Sequence, residues 1–330
     1  MNHRIFGIIW SERQVVMAKH GADIQKYDCF DIKHDIAFKM TFGSHDNIEI
    51  LSAFLNDSLS LDGQDSIVNL SLNAPRDKRH DPGEKVVIYD ICAFDKNGRE
   101  FIIEMQLRKE PDAEKRFFYY GCVATAAQLY EKTDAAIANK ARKKEYGDIA
   151  KVIVIALLDY KAYPDNAYLS HYTLRDKTSN REMADANEYI FVELPKFQKT
   201  DISQLNSKID MWLYLMNNIT TIKTLPDLFI DTVFAKVITV LNKCSMSVQQ
   251  RSMMLREIQR EAAKTAQNEL EKQTAVERAE KKGEAVGMKK AKATIVKRMH
   301  RDGISMTQIA SITDYTIETI EGIINGGSHD

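Results

Sequence analysis

The spacing of hydrophobic and polar positions changes several times along this chain, and each change marks an element. Ile36, Ala37 and Met40 share one helical face, which predicts a short helix over Asp31–Met40, capped by Asp31 and stopped by Gly43. Ile48, Leu51, Leu55 and Leu59 predict a second helix from about Asn47 to Leu59, opened at Asp46. Ile67–Leu72 reads as a strand. Val86–Phe94 and Phe101–Leu107 read as the two arms of a hairpin. In the second arm Phe101, Ile103, Met105 and Leu107 fall on one face, and Glu104 and Gln106 on the other. Pro111 and Asp112 open a helix to about Lys132, with Phe117, Tyr120, Ala124 and Ala127 as its buried stripe. Lys151–Leu158 is a continuous apolar run of strand length. A strand covered on both faces has this character, so an α/β sheet with helical cover is expected. Tyr168–Leu174 and Glu188–Leu194 are two further strands, and from Asp201 the pattern turns helical through Trp212, Leu213 and Leu215.

Beyond Ser245 the character changes. Ser247–Arg301 is rich in Ala, Glu, Lys, Gln and Arg and lacks proline, which predicts a long exposed helix or pair of helices, interrupted near Gly283 and Gly287. Ser305 and Gln308 form a capping box for a short helix, and a last helix starts at Thr316. The pair resembles a helix-turn-helix. Its second helix, Thr-Ile-Glu-Thr-Ile-Glu-Gly, is acidic where base reading needs Arg, Lys or Asn, so an oligomerisation or docking element is expected here, a homo-oligomer through these C-terminal helices or a docking contact. Four segments result: a 1–26 extension that does not match the rest, with Met17 as a candidate native start; a 27–200 core; a 201–245 helical segment packed on that core; and a 246–330 helical tail.

Composition narrows the class without naming it. The 330 residues are 44% apolar and 28% charged, as in soluble globular proteins, and 46 basic residues face 47 acidic ones. No global positive field draws in nucleic acid, so any such contact must be local. Four scattered cysteines without a Cys-x-x-Cys pair argue against zinc and disulfide frameworks. No apolar run reaches the roughly 20 residues of a membrane span. A reducing, bacterial-type cytoplasm is the expected setting.

The hairpin carries the chemistry. A two-residue turn at Asn97-Gly98 would set Asp90 opposite Met105. A three-residue loop, Lys96-Asn97-Gly98 with Gly98 left-handed, sets Asp95 opposite Arg99 and Asp90 opposite Glu104. Opposed residues have Cβ atoms roughly 4.5–5.5 Å apart. Two carboxylates at about 4 Å repel by about 4 kcal/mol at an effective dielectric of 20, so a proton or cation must lie between them. Hard divalent ions prefer oxygen ligands. Asp90, Glu104 and the Met105 carbonyl therefore make a candidate Mg²⁺ or Mn²⁺ site with Gln106 beside it. The alternative is a one-sided sheet whose acids face solvent.

Asp90 followed after thirteen residues by Glu104-Met105-Gln106 resembles the split Asp and Glu-x-Lys core of the PD-(D/E)XK nucleases. The version ending in Gln is similar to the recombination-promoting nuclease and transposase family. Asp35-Ile-Ala-Phe38-Lys39 before Phe42-Gly43, Phe54-Leu-Asn56, Arg116-Phe-Phe-Tyr-Tyr120, Gln128-Leu129 and Val192-Glu-Leu-Pro-Lys-Phe197 fit the same family. The resemblance implies a restriction-endonuclease-like mixed sheet flanked by helices, DNA as substrate, and metal-dependent phosphodiester hydrolysis linked to recombination or mobile elements. It makes Asp90, Glu104 and Gln106 the catalytic set and places Asp35 as a further acid from the first helix. The alternative is a decayed core that binds DNA or protein. A strict transposase lacks support, because no third widely spaced carboxylate completes a strand-transfer triad. Arg76, Lys78 and Arg79, in the loop leading to Asp90, together with Arg116 and Gln128, are candidate contacts to a DNA backbone.

Overall fold

The computed structural model describes residues 26–72, 87–130, 145–185 and 187–326. The N-terminal extension up to residue 25, the basic loop with Arg76, Lys78 and Arg79, and the basic segment 140–144 lie outside the described residues. Contacts divide the chain into two compact units, Met1–Ile258 and Gln259–Asp330.

The first unit is built on a six-stranded mixed sheet. Its strands are β1 (Leu70–Leu72), β2 (Ile91–Asp95), β3 (Glu100–Gln106), β4 (Val152–Leu158), β5 (Leu169–Thr173) and β6 (Asn187–Glu193), in the spatial order β1-β2-β3-β4-β6-β5. β2 and β3 form the antiparallel hairpin, β4 runs parallel to both β3 and β6, and β1 and β5 close the edges antiparallel. Helix α3 (Ala113–Tyr130) covers one face and makes the crossover from β3 to β4. The other face carries α1 (Asp35–Phe42), α2 (Ile48–Ser58), α4 (Lys208–Asn218) and α5 (Val233–Leu241).

This two-sided cover accounts for the unbroken apolar run of β4, all seven of whose residues are buried. Ile153, Ile155 and Leu157 pack into the α1/α2 side, and Val152, Val154, Ala156 and Leu158 into the α3 side. Trp212 centres the first core. Its ring lies 4.7–5.8 Å from Phe234, Phe54 and Phe42, and its Nε1–H donates to Asp57 at 2.9 Å. On the α3 side Phe117, Ala124 and Ala127 are buried and Tyr120 half-buried, the stripe expected from spacing.

Several expected boundaries move, each for a local reason. Helix α1 begins at Asp35, not Asp31, because Asp31 Oδ1 accepts the Lys33 N–H (3.0 Å) and closes a turn instead. The signal ahead of α2 is Ser44, whose Oγ accepts the Asp46 N–H, rather than Asp46 itself. The first hairpin arm is a strand only from Ile91 on. At Asp90 the side chain, not the main chain, takes up the neighbouring strand's N–H, and the ladder ends there.

The turn itself is the three-residue loop. Phe94 pairs with Glu100, the Asp95 N–H donates to Arg99 O (3.1 Å), and Gly98 sits at φ +80°. Asp95 locks it by accepting the N–H groups of Asn97 and Arg99 and the Arg99 Nε. A side chain at position 98 would be strained in this conformation, so Gly98→Ala is expected to cost about 1–2 kcal/mol, read from urea midpoints, with Gly98→Asn costing less. Equal stability of Gly98→Ala would contradict this register.

Helix α6 (Val248–Arg301) continues unbroken through Gly283 and Gly287, contrary to the expected interruption. One glycine costs a helix only about 1 kcal/mol, which the surrounding Ala, Glu, Lys and Arg offset. Met254 and Ile258 in its first turns still pack on the first unit's core. The second unit has a small core of its own, in which Val296 of α6 meets Ile309 of α7 (Met306–Thr313) and Ile320 of α8 (Ile317–Ile324). The expected capping box is present: Ser305 and Gln308 satisfy each other's backbone. Among the described residues no helix is long and apolar enough to cross a membrane.

Candidate active site

Asp90, Glu104 and Gln106 gather at the carboxyl end of β3, on the face covered by α3. Ile91 pairs with Ile103, so the register places Asp90 against Glu104. The Asp90 N–H donates to Glu104 Oε1 at 3.0 Å, and the Met105 N–H donates to Asp90 Oδ2 at 3.0 Å. Each carboxylate is therefore fixed by the other residue's strand. In an extended strand the N–H and C=O of one residue project to the same edge. The Gln106 carbonyl is taken by the Asp159 N–H on the β4 side, so the Met105 carbonyl projects to the opposite edge, that of Asp90. Met105's side chain lies in the core of the other face.

Glu104 is 3% exposed. Burial, and then the charge of Asp90, push its carboxyl up to about 8, against a smaller lowering by the Asp90 N–H, Arg116 and Lys39. Burial also raises Asp90, offset in part by the Met105 N–H and by Lys39. A buried acid pair that resists double ionisation calls for a proton or a cation. Two carboxylates and a carbonyl are hard oxygen donors, and Mg²⁺ is commonly held by one or two carboxylates with waters completing its shell. The residues present fit such an ion. Among the described residues no cluster of three or more His, Cys, Asp and Glu is grouped for metal binding, so the fit rests on this pair and the backbone.

Gln106 is turned by its neighbours. Arg116, one turn into α3, donates from Nη2 to Gln106 Oε1 at 2.7 Å, which leaves the Gln106 amide to approach Glu104 Oε2 at 3.5 Å. Arg116 is also paired with Glu110, so it acts on the site through Gln106 and does not stand free for a DNA backbone. Gln128, also expected near phosphate, is buried elsewhere. Its amide donates to the Ala150 carbonyl (3.0 Å) and accepts the Ala150 N–H (2.8 Å), anchoring the approach to β4. Asp35 opens α1 but points to Lys39 Nζ at 2.6 Å. That Lys39 ammonium lies 3.8 Å from Asp90 Oδ1, between the two aspartates. Lys39 carried no assigned role in the sequence. Its position four residues after Asp35, on an otherwise largely apolar helix, was the available signal.

A mixed sheet with helices on both faces, carrying an Asp before its second strand and a Glu at the end of its third, is the arrangement of the PD-(D/E)XK nuclease class, here with Gln106 in the place of its lysine. Residues 32–273, most of the chain, match the PD-(D/E)XK nuclease family transposases, and the chain belongs to that family. No curated protein and no solved structure matches it.

Proposed function

We propose that this protein is a metal-dependent DNA endonuclease that hydrolyses phosphodiester bonds, in the service of recombination or mobile-element activity. The observation that carries this reading is the facing pair Asp90 and Glu104, each held by the other residue's backbone N–H or that of its neighbour, at the carboxyl end of β3. Stability alone does not account for burying two acids together, since burial raises both carboxyl groups and the charge of Asp90 raises Glu104 further.

Asp90, Glu104 and the Met105 carbonyl would hold Mg²⁺ or Mn²⁺. The ion, when bound, supplies Lewis acidity toward a phosphoryl oxygen and lowers the pKa of a water. The chain's own groups do the rest. Gln106, oriented by Arg116, presents an amide N–H that positions a water or phosphate oxygen without adding charge. Asp90 and Glu104 are each anchored by a backbone N–H, which holds one oxygen of each carboxylate in place while substrate arrives.

Supercoiled plasmid with Mg²⁺ tests the reading directly. Nicking that EDTA abolishes is the expected outcome. Calorimetry with Mn²⁺ separates the enzyme from a decayed core that only binds. No metal uptake and no nicking would assign the chain to the second class.

A further inference from the structure

Hydrolysing a phosphodiester builds negative charge on the non-bridging oxygens, and Gln106 cannot offset it. Among the described residues, the cations that face the carboxylate pair are Arg116 and Lys39. Arg116 is engaged by Gln106 and Glu110. Lys39 is different. Its Nζ bonds to Asp35 at 2.6 Å and stands 3.8 Å from Asp90, leaving donor capacity unused, and its side chain is 41% exposed. Burial works against its charge, but Asp35, Asp90 and Glu104 outweigh this and hold the ammonium protonated. Lys39 also lines an open cleft of about 510 Å³ together with Ile36, Met40 and Gly43.

We infer that Lys39 is a catalytic residue whose ammonium donates to a non-bridging oxygen of the scissile phosphate, supplying from α1 the positive charge absent at position 106. Asp35 is then the positioning residue that aims it. In the step itself the water oxygen bonds to phosphorus and the bond to the leaving sugar oxygen breaks, its electron pair staying on that oxygen. The water loses one proton to solvent and the leaving oxygen takes one up, so diester and water give a phosphomonoester and an alcohol. Lys39 keeps its proton throughout. This inference rests on the proposed nuclease reading.

The test uses Lys39→Met, which keeps most of the apolar stem and removes the charge, in the full-length chain. The kcat for plasmid nicking is expected to fall by about 10²–10³-fold with KM little changed, as on loss of one transition-state donor. Mn²⁺ affinity by calorimetry should be unchanged or tighter, since a repelling cation has gone. Lys39→Arg should retain part of the rate, and Lys39→Met combined with Gln106→Lys should recover at least about tenfold, because the charge returns from the other side of the site. Nicking by Lys39→Met at the wild-type rate overturns the inference and leaves the nuclease reading intact. Loss of rate together with lost Mn²⁺ binding or lost thermal stability reduces Lys39 to a strut and also overturns it. A wild-type protein that cuts nothing removes the nuclease reading first and this inference with it.

Discussion

Asp90→Asn and Glu104→Gln are each expected to reduce Mg²⁺-dependent nicking by at least about 10²–10³-fold while the protein stays folded. Both replacements keep the side chain's shape and an oxygen acceptor, so the Met105 N–H and the Asp90 N–H can still be satisfied. What they remove is charge. One carboxylate and one carbonyl hold a divalent ion far less well than two carboxylates, and Mn²⁺ affinity should fall alongside the rate. Nicking assays on both variants, with circular dichroism to confirm the fold, check this. Robust cleavage by either variant would mean that the chemistry lies elsewhere on the chain.

The metal-free protein should lose stability as pH rises from about 4.5 through about 8, the window set by Glu104's ordinary and folded values. Over that range the folded state holds a proton on Glu104 that the unfolded chain has released. Unfolding therefore releases a proton, and stability falls with increasing pH. The contribution is fully present below the unfolded value and gone above the folded one, a total on the order of a few kcal/mol. Glu104→Gln should flatten the dependence and be more stable than wild type at pH 9. Added Mn²⁺ should stabilise wild type more at pH 9 than at pH 5, because the ion and the proton compete for the same oxygens. Urea midpoints at pH 5 and 9, in EDTA and in Mn²⁺, provide the measurement. A wild-type midpoint that rises with pH in EDTA would contradict the buried pair.

The main elements were legible from periodicity because the sheet is covered on both sides. The β4 run Val152–Leu158 could satisfy seven buried positions only between two helical layers, and that layering is what the structure contains. The hairpin register was legible for a sharper reason. Only one loop length brings Asp90 and Glu104 together, and Gly98 supplies the left-handed residue that loop requires. Element ends were less legible. Asp31 looked like a helix cap, but a side chain that satisfies its own turn cannot be told from a cap without seeing where the next N–H groups go.

By itself, then, the sequence determined the α/β core covered by helices on both faces of its sheet, the hairpin that opposes two acids and the helical character of the described residues beyond 247. Those follow from interactions between near neighbours, or from burial patterns repeated along one strand. Only the tertiary structure decided which polar groups serve the site. Gln128 was drawn to the Ala150 backbone, Arg116 was turned onto Gln106, and Lys39 was brought to Asp90 across fifty residues of chain. Such assignments depend on how helices α1 and α3 lie on opposite faces of the sheet, a matter of packing that no local spacing encodes.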